Sequence, residues 1–318
     1  MAGSNPRLGI TYKVSAVAGF TLMSALVKLA AETVPTVEVC FFRSFFALLT
    51  IVAVLAWRGE FPAAIYTANP WGHVWRGATA LVSMICNFTA LACLPLADAI
   101  ALGYASPLFL TIFAAVLLGE VVRRFRWNAV AIGLVGVLII LWPRLDVLKT
   151  GLGSEVEALG AASALVGAAT GALGAILASR LVIGERTSTI VFYFSALCTI
   201  GFLLTAPFGW VVPDASTCVV LVVIGVLGGL AQLALTESYR HAETSTVAPF
   251  EYTSILFSLA LGWLVFSQLP TATMLVGSTI VIAASLYVIW REHQLQMRPA
   301  PLDNWPWILS RTDEHDAR

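Results

Sequence analysis

Tyr104-Ala105-Ser106-Pro107-Leu108-Phe109 and Tyr252-Thr253-Ser254-Ile255-Leu256-Phe257 are one short pattern written twice, 148 residues apart. The same offset carries Trp142 onto Trp290, and Phe41-Phe42-Arg43-Ser44 matches Phe192-Tyr193-Phe194-Ser195 at an offset of 151. Each match alone is weak, but three at almost one offset point to an internal duplication. The two copies of the first pattern lie inside apolar runs, residues 97–118 and 245–266.

Those runs have the length of membrane spans, since a helix needs roughly 20 apolar residues to cross about 30 Å of hydrocarbon. Reading outward from them gives ten such segments, near residues 9–31, 36–57, 73–94, 97–118, 127–142, 158–179, 188–207, 216–236, 245–266 and 271–290. They are rich in Ala, Leu and Gly and lack the roughly ten-residue alternation of barrel strands. Pro35, Pro95, Pro143, Pro213 and Pro270 mark several of the connections. Composition agrees: 59% of the residues are apolar and 11% charged, against about 25% charged in soluble domains. The mean hydropathy of +0.87 describes a surface that water would not cover and lipid would.

The expected fold is an all-α polytopic membrane protein with ten transmembrane helices arranged as two five-helix repeats. Five is odd, so the second copy enters the bilayer inverted relative to the first. Inverted repeats build many secondary transporters, whose halves exchange conformations to open a central site to one face and then the other. The expected organisation is an N-terminal segment at 1–8, repeats at 9–142 and 158–290, a connecting loop at 143–157 and a polar tail at 291–318. Trp305-Pro306-Trp307 in the tail suits the headgroup level. Residues 1–13 are polar and the apolar run after them shows no small-residue cleavage site, so that run reads as the first span.

Lys plus Arg equals Asp plus Glu at 18 each, which supplies no basic face for nucleic acid. The placement of the cations is informative. With the N-terminus inside, the inner segments hold Arg7, Lys13, Arg58, Arg76, Arg123, Arg124, Arg126, Arg180, Arg186, Arg240, Arg291, Arg298, Arg311 and Arg318, and the outer ones hold Lys28, Arg144 and Lys149. This bias predicts a multi-pass protein of a bacterial inner membrane with both termini cytoplasmic. Lys13 and Lys28, near the ends of the first span, are expected to snorkel.

No GxxxxGK[ST] pattern is present, which argues against direct use of ATP. His73, His241, His293 and His315 show neither metal-ligand spacing nor a nucleophile partner, which disfavours a membrane enzyme. A channel would call for a ring of polar or charged groups. Cys40, Cys86, Cys93, Cys198 and Cys218 read as small buried hydrophobes, with no disulfide and no metal site. The residues imply no cofactor and no obligate protein partner, only a small-molecule substrate and the lipid bilayer.

Two stretches carry a family resemblance. Residues 97–107 followed by Leu118-Gly119-Glu120, and the Gly-rich run from Gly133 to Ile139, resemble the EamA-type members of the drug/metabolite transporter superfamily, which have two five-helix repeats. The resemblance covers roughly residues 9–290. The second repeat departs from the pattern: Ile255 stands where a proline is expected, and Ser267-Gln268 replaces Gly-Glu. Phe42-Arg43-Ser44-Phe45-Phe46 and the run from Gly136 to Arg144 look like bacterial members assigned to riboflavin uptake. They also look like members assigned to S-adenosylmethionine or amino acids. The resemblance implies a secondary transporter of a small metabolite, riboflavin or another aromatic or amphipathic molecule first. An amino-acid or S-adenosylmethionine transporter or exporter is the alternative within the family, and an integral membrane enzyme the alternative outside it.

An ionisable residue well inside a span costs roughly 2.5–3.5 kcal/mol on insertion scales and is a functional candidate by default. Arg43 and Glu251 each lie about a third of the way into a span. Glu251 is expected to bind a cationic group or to carry a proton for coupling, and Arg43 to pair with a phosphate, a carboxylate or a carbonyl-rich ring. The bland alternative is a structural salt bridge between them, or from Arg43 to Glu38. Tyr104 and Tyr252 occupy equivalent places in the two repeats, where a tyrosine pair across a two-fold axis would hold a flat ligand. Phe42, Phe45 and Phe46 share a helix face. Asn87 and Gln232 are polar and mid-helix, suited either to interhelical hydrogen bonds or to substrate. The expected substrate site is therefore Arg43, Tyr104, Glu251, Tyr252, Asn87, Gln232 and Phe42, with Glu251 also the coupling residue. Pro107 is expected to bend its helix, with Pro249 a partial counterpart. Gly167, Gly171, Gly174, Gly225, Gly228 and Gly229 permit close helix packing.

Overall fold

A computed structural model describes residues 6–118, 124–147, 153–242 and 244–294. These residues are helical throughout, with no strand among them. The elements are α1 Pro6–Ala30, α2 Thr36–Trp57, the short α3 Phe61–Ile65, α4 Pro70–Cys93, α5 Leu96–Gly103, α6 Ser106–Leu118, α7 Arg124–Val147, α8 Gly153–Gly184, α9 Thr187–Leu203, α10 Ala215–His241, α11 Thr244–Val247, α12 Thr253–Phe266 and α13 Ala272–Gln294. A 3-10 turn, Ala248–Tyr252, joins α11 to α12.

Nine helical segments among the described residues are long and apolar enough to cross a membrane. The tenth expected span is α9, which has 17 residues and rises about 25 Å. The protein is a polytopic membrane protein. Leucines, valines and isoleucines stand exposed along the bundle, and Trp57, Trp71, Trp142 and Trp290 are exposed near span ends, where interfacial aromatics gather. The expected spans fall within a few residues of the observed helices. The surface helix α3, between the second and third spans, was not expected. Gly119, Glu120, Arg123, Lys149 and the tail with Trp305, Pro306 and Trp307 lie outside the described residues.

The principal helix pairings recur when the two halves are exchanged. α4 lies along α8 as α1 lies along α10; α6 meets α8 as α12 meets α1; α7 pairs with α13 and α2 with α9. Small residues set these contacts. A Cβ at Gly225 would lie 2.3 Å from that of Phe46, so α10 presses against α2. Gly136 and Gly277 make α7 and α13 touch backbone to backbone, a Cβ at Gly277 falling 2.6 Å from the Gly136 carbonyl.

The fourth span is broken, as Pro107 predicts. Its missing N–H and its ring, which collides with the carbonyl four residues back, separate α5 from α6 at Tyr104 and Ala105. The backbone there tightens, with Tyr104 N–H donating to Ala101 O and Ala105 N–H to Leu102 O, each three residues back. The ninth span is broken at the corresponding height by the 3-10 turn that carries Pro249. At its far end Ser267 closes α12 in the left-handed region, φ 53°, where the family pattern places glycine. Gln268 Oε1 then accepts from Leu96 N–H, tying α12 to the start of α5.

Candidate substrate site

The seam between α4 and α8 is polar on one side and nearly free of side chain on the other. Gly167, Gly171 and Gly174 of α8 face Asn87, Ser83 and Thr79 of α4 in turn; a Cβ on each glycine would come within 2.9, 3.1 and 3.2 Å of those side chains. Ser83 Oγ donates to Gly167 O at 2.9 Å, and Asn87 Nδ2 donates to Ser83 O at 2.7 Å. Asn87 thus makes the hydrogen bond along its own helix and also presents its side chain to the space beside it.

That space is a cavity of about 360 Å³ between α2, α4, α8 and α9, within the range of small-molecule sites. Arg43, Arg76, Thr79, Ser83, Asn87 and Phe194 supply its polar and aromatic wall, and Ala80, Met84, Phe88, Ala175 and Ala178 its apolar wall. The guanidinium carbons of Arg43 and Arg76 lie 5.8 and 4.7 Å from the centroid of the one Phe194 ring. Arg43 is 6% exposed. Nε and Nη1 of both arginines are buried without an acceptor.

The electrostatics are unbalanced. An unpaired buried charge costs several kcal/mol, while a cation–π contact returns about 0.5–2 kcal/mol. The two like charges flank one ring and repel each other as well. Among the described residues no acid lines the cavity, so positive potential concentrates there.

Repeat symmetry locates the cavity. Arg43 and Phe194 are equivalent residues of the two halves, and they touch. Tyr104 and Tyr252 are also equivalent, and their rings meet edge to face at 5.1 Å. Equivalent residues make contact only near the axis that relates them, so the cavity and the tyrosine pair both lie beside the pseudo-two-fold axis.

The expected residues divide accordingly. Arg43 and Asn87 line the cavity. Tyr104 and Tyr252 come together as expected, but each packs on the other and leaves no slot for a flat ligand between them; Tyr104 is buried and its hydroxyl shares a 2.6 Å hydrogen bond with Ser254 Oγ. Phe42 stacks on Phe46 and meets Trp210 outside the cavity. Gln232 is half-buried on α10 and lines no cavity described here.

The structural salt bridge weighed for Arg43 does not form. Glu251 pairs instead with Lys13 of α1, and Glu38 Oε2 accepts from Val211 N–H at 3.0 Å. Glu251 is also less enclosed than its place in the sequence suggested: its side chain is 53% exposed, and the buried partner is Lys13. Glu251 lies in the 3-10 turn Ala248–Tyr252, none of whose residues is buried. Lys13 therefore does not snorkel, and Lys28 donates to Leu91 O and Leu94 O, neutralising the negative end of α4. Cys218 is exposed, whereas Cys40 and Cys198 are buried.

Arg76, Phe194, Thr79 and Ser83 were not singled out in the sequence. Arg76, one of the cations of the inner side, lies six residues inside α4. Its signal was the interval from Pro70, a helix-starting residue, which already placed it about 9 Å along the helix axis.

One face of the bundle is latched beside this site. Glu185, after α8, accepts from Thr67 Oγ1 at 2.5 Å, Ala68 N–H at 2.8 Å and Asn69 N–H at 3.0 Å. His73 Nε2 is 3.8 Å away, and its ring stacks on Tyr193 at 4.6 Å. Burial pushes the Glu185 carboxyl up, but the hydrogen bonds from Thr67, Asn69 and Ala68, with His73 nearby, outweigh it and hold the group below the ordinary glutamate value. On the same face Arg58 donates to Glu237 at 2.8 Å, which raises the Arg58 value.

Comparison with known proteins settles the family. The model of the EamA-like transporter family matches residues 7–142. The pseudopaline exporter CntI of Pseudomonas aeruginosa is 34% identical over 283 residues, 87% of this chain and 94% of its own. The chain belongs to the EamA-like transporter family. A riboflavin transporter of Rhizobium johnstonii is 30% identical over 92% of this chain and 94% of its own. An S-adenosylmethionine uptake transporter of Rickettsia felis is 25% identical over 82% of this chain and 85% of its own. A solved structure covers 91% of this chain and 99% of its own with a TM-score of 0.61 at 18% identity, which shows a shared fold. The named relatives are bacterial and are transporters of small metabolites, not enzymes.

Proposed function

We propose that this protein is a secondary transporter of the bacterial inner membrane that carries a small aromatic or amphipathic metabolite through the cavity between α2, α4, α8 and α9 by alternating access. The observation that carries this reading is the cavity's place between the two halves, beside the axis that relates them, with Arg43 and its repeat equivalent Phe194 in its wall. A site at that place is shared by both halves, so a rearrangement that swaps their conformations exposes it first to one face and then to the other.

Arg43 and Asn87 contact the substrate directly. The Tyr104–Tyr252 contact lies where both halves break their helices and parts when the halves exchange. Phe42 and Gln232 belong to the surfaces that slide. Glu251, held by Lys13 between α1 and the broken ninth span, is the coupling residue, its proton or its ion pair changing with the state of the bundle. The cation bias between the two sides puts both termini in the cytoplasm. Riboflavin is the first substrate to try, since a riboflavin transporter shares 30% identity over nearly the whole chain.

The test uses the purified protein in proteoliposomes, measuring exchange of labelled riboflavin, tryptophan and S-adenosylmethionine. A Cβ at Gly171 would meet only Ser83 Oγ, at 3.1 Å, so Gly171→Leu fills free cavity space. Exchange of one substrate that Gly171→Leu abolishes, in a protein that still folds, is the expected result. Exchange unaffected by Gly171→Leu would move the substrate site elsewhere.

A further inference from the structure

We propose that the cavity is built for an anion, a carboxylate or phosphate group of the carried metabolite being held between Arg43 and Arg76 against the face of Phe194. This rests on the reading of the cavity as the substrate site and narrows the class of substrate it takes.

The inference starts from what the two arginines lack. Arg43 is more than nine-tenths buried, lines the cavity and keeps Nε and Nη1 without an acceptor; Arg76, half-buried as a residue, lines the same cavity and keeps its own buried Nε and Nη1 without an acceptor. Among the described residues no carboxylate pairs with either. The two acids weighed as partners of Arg43 are engaged elsewhere, Glu38 with Val211 and Glu251 with Lys13, as are Glu237 with Arg58 and Glu185 with residues 67–69.

The neutral groups of the wall do not supply the missing acceptors. Thr79 Oγ1 donates to Arg76 O, Ser83 Oγ to Gly167 O and Asn87 Nδ2 to Ser83 O. Phe194 satisfies one face of each cation but accepts none of their N–H bonds. Guanidinium groups present donors in a fixed fork that fits the paired oxygens of a carboxylate or phosphate. Two such forks on one ring, in a cavity whose other wall is Ala80, Met84, Phe88, Ala175 and Ala178, describe a ligand with an anionic end and an apolar body. A net cation is the least suited, because it would be a third positive charge in the same space.

The experiment uses the full-length protein in detergent with two ligand pairs. Flavin mononucleotide and riboflavin share one ring and differ by a phosphate; indole-3-acetate and tryptamine share another and differ in the sign of the charge. Dissociation constants come from calorimetry, at one ionic strength. The anionic member of at least one pair is expected to bind tenfold or more tightly than its partner, and the gap to collapse in Arg43→Gln and in Arg76→Gln. A gap in the flavin pair assigns a phosphate, and one in the indole pair a carboxylate.

A measurement without ligand keeps the test decisive. Arg43→Met removes an unpaired buried charge, so the ligand-free variant is expected to melt above the wild type. A lower melting temperature would make Arg43 a structural cation and overturn the proposal, as would a neutral or cationic ligand binding as tightly as its anionic partner. Riboflavin exchanged equally by wild type and Arg43→Gln, with no flavin gap, would discard the anion and leave the transport reading intact. Ligands indifferent to Gly171→Leu would discard the cavity itself.

Discussion

Removing the Glu185 carboxylate should loosen the latch beside the cavity by a calculable amount. In Glu185→Ala three donors lose their acceptor. Thr67 Oγ1 is part-buried, and a hydrogen bond to a charged group there contributes about 1.5–3 kcal/mol. The Ala68 and Asn69 N–H groups are exposed and turn to water, so each loses about 0.5 kcal/mol. The sum is about 3 kcal/mol, a fall of roughly 4–5 °C in melting temperature for a chain of this size. Glu185→Gln keeps an acceptor oxygen and should lose about half as much. The pH dependence follows from the lowered carboxyl value. A group whose value falls on folding stabilises fully above its unfolded value, near 4.5, and that contribution is lost as pH drops through the folded value. The gap between wild type and Glu185→Gln should therefore be full at pH 7 and close in the acid range below 4.5. Thermal unfolding in detergent across this range is the assay. Equal melting of wild type and Glu185→Ala at pH 7, or a gap that widens in acid, would refute the reasoning.

Ser267→Gly should raise stability by about 1 kcal/mol, because glycine adopts the left-handed conformation of that helix end without the cost a side chain bears; a lower melting temperature would count against it. Gly277→Val should force α7 and α13 apart, since even its Cβ falls 2.6 Å from the Gly136 carbonyl, and should lower stability by about 1–3 kcal/mol. Gly184→Val, with nothing within 4 Å of its Cβ, serves as the control, and equal effects of the two would argue against the backbone contact. Glu251→Gln should abolish gradient-driven accumulation while leaving substrate exchange; full accumulation with an unchanged pH profile would exclude the coupling role.

The spans, the duplication and the break at Pro107 were legible because each follows from a local rule: run length against bilayer thickness, a fixed offset, or a missing N–H. The tyrosine pair was legible from the duplication alone, since equivalent residues near a two-fold axis must meet. What they do there was not, because two rings that reach one point fill it. The partners of the buried charges could not be read either. Glu251 and Arg43 sit at similar depth on different spans of the sequence, but the structure pairs Glu251, in the 3-10 turn Ala248–Tyr252, with Lys13 of α1. Arg76 escaped notice because it lies only three residues inside the expected third span, 73–94, where a cation reads as an interfacial one, whereas α4 begins at Pro70. Its role depends on Phe194, which was visible only as the repeat partner of Arg43.

Alternating access requires that one cavity be reached from both sides of the membrane. Ala80 lines it and makes no side-chain hydrogen bond, so Ala80→Cys can report on access. In a transport-competent background lacking the five native cysteines, the rate of modification by a membrane-impermeant thiol reagent would be measured in right-side-out and inverted vesicles. Reaction from both sides, slowed in both by transported substrate, is expected. Reaction from one side alone, or rates indifferent to substrate, would contradict it.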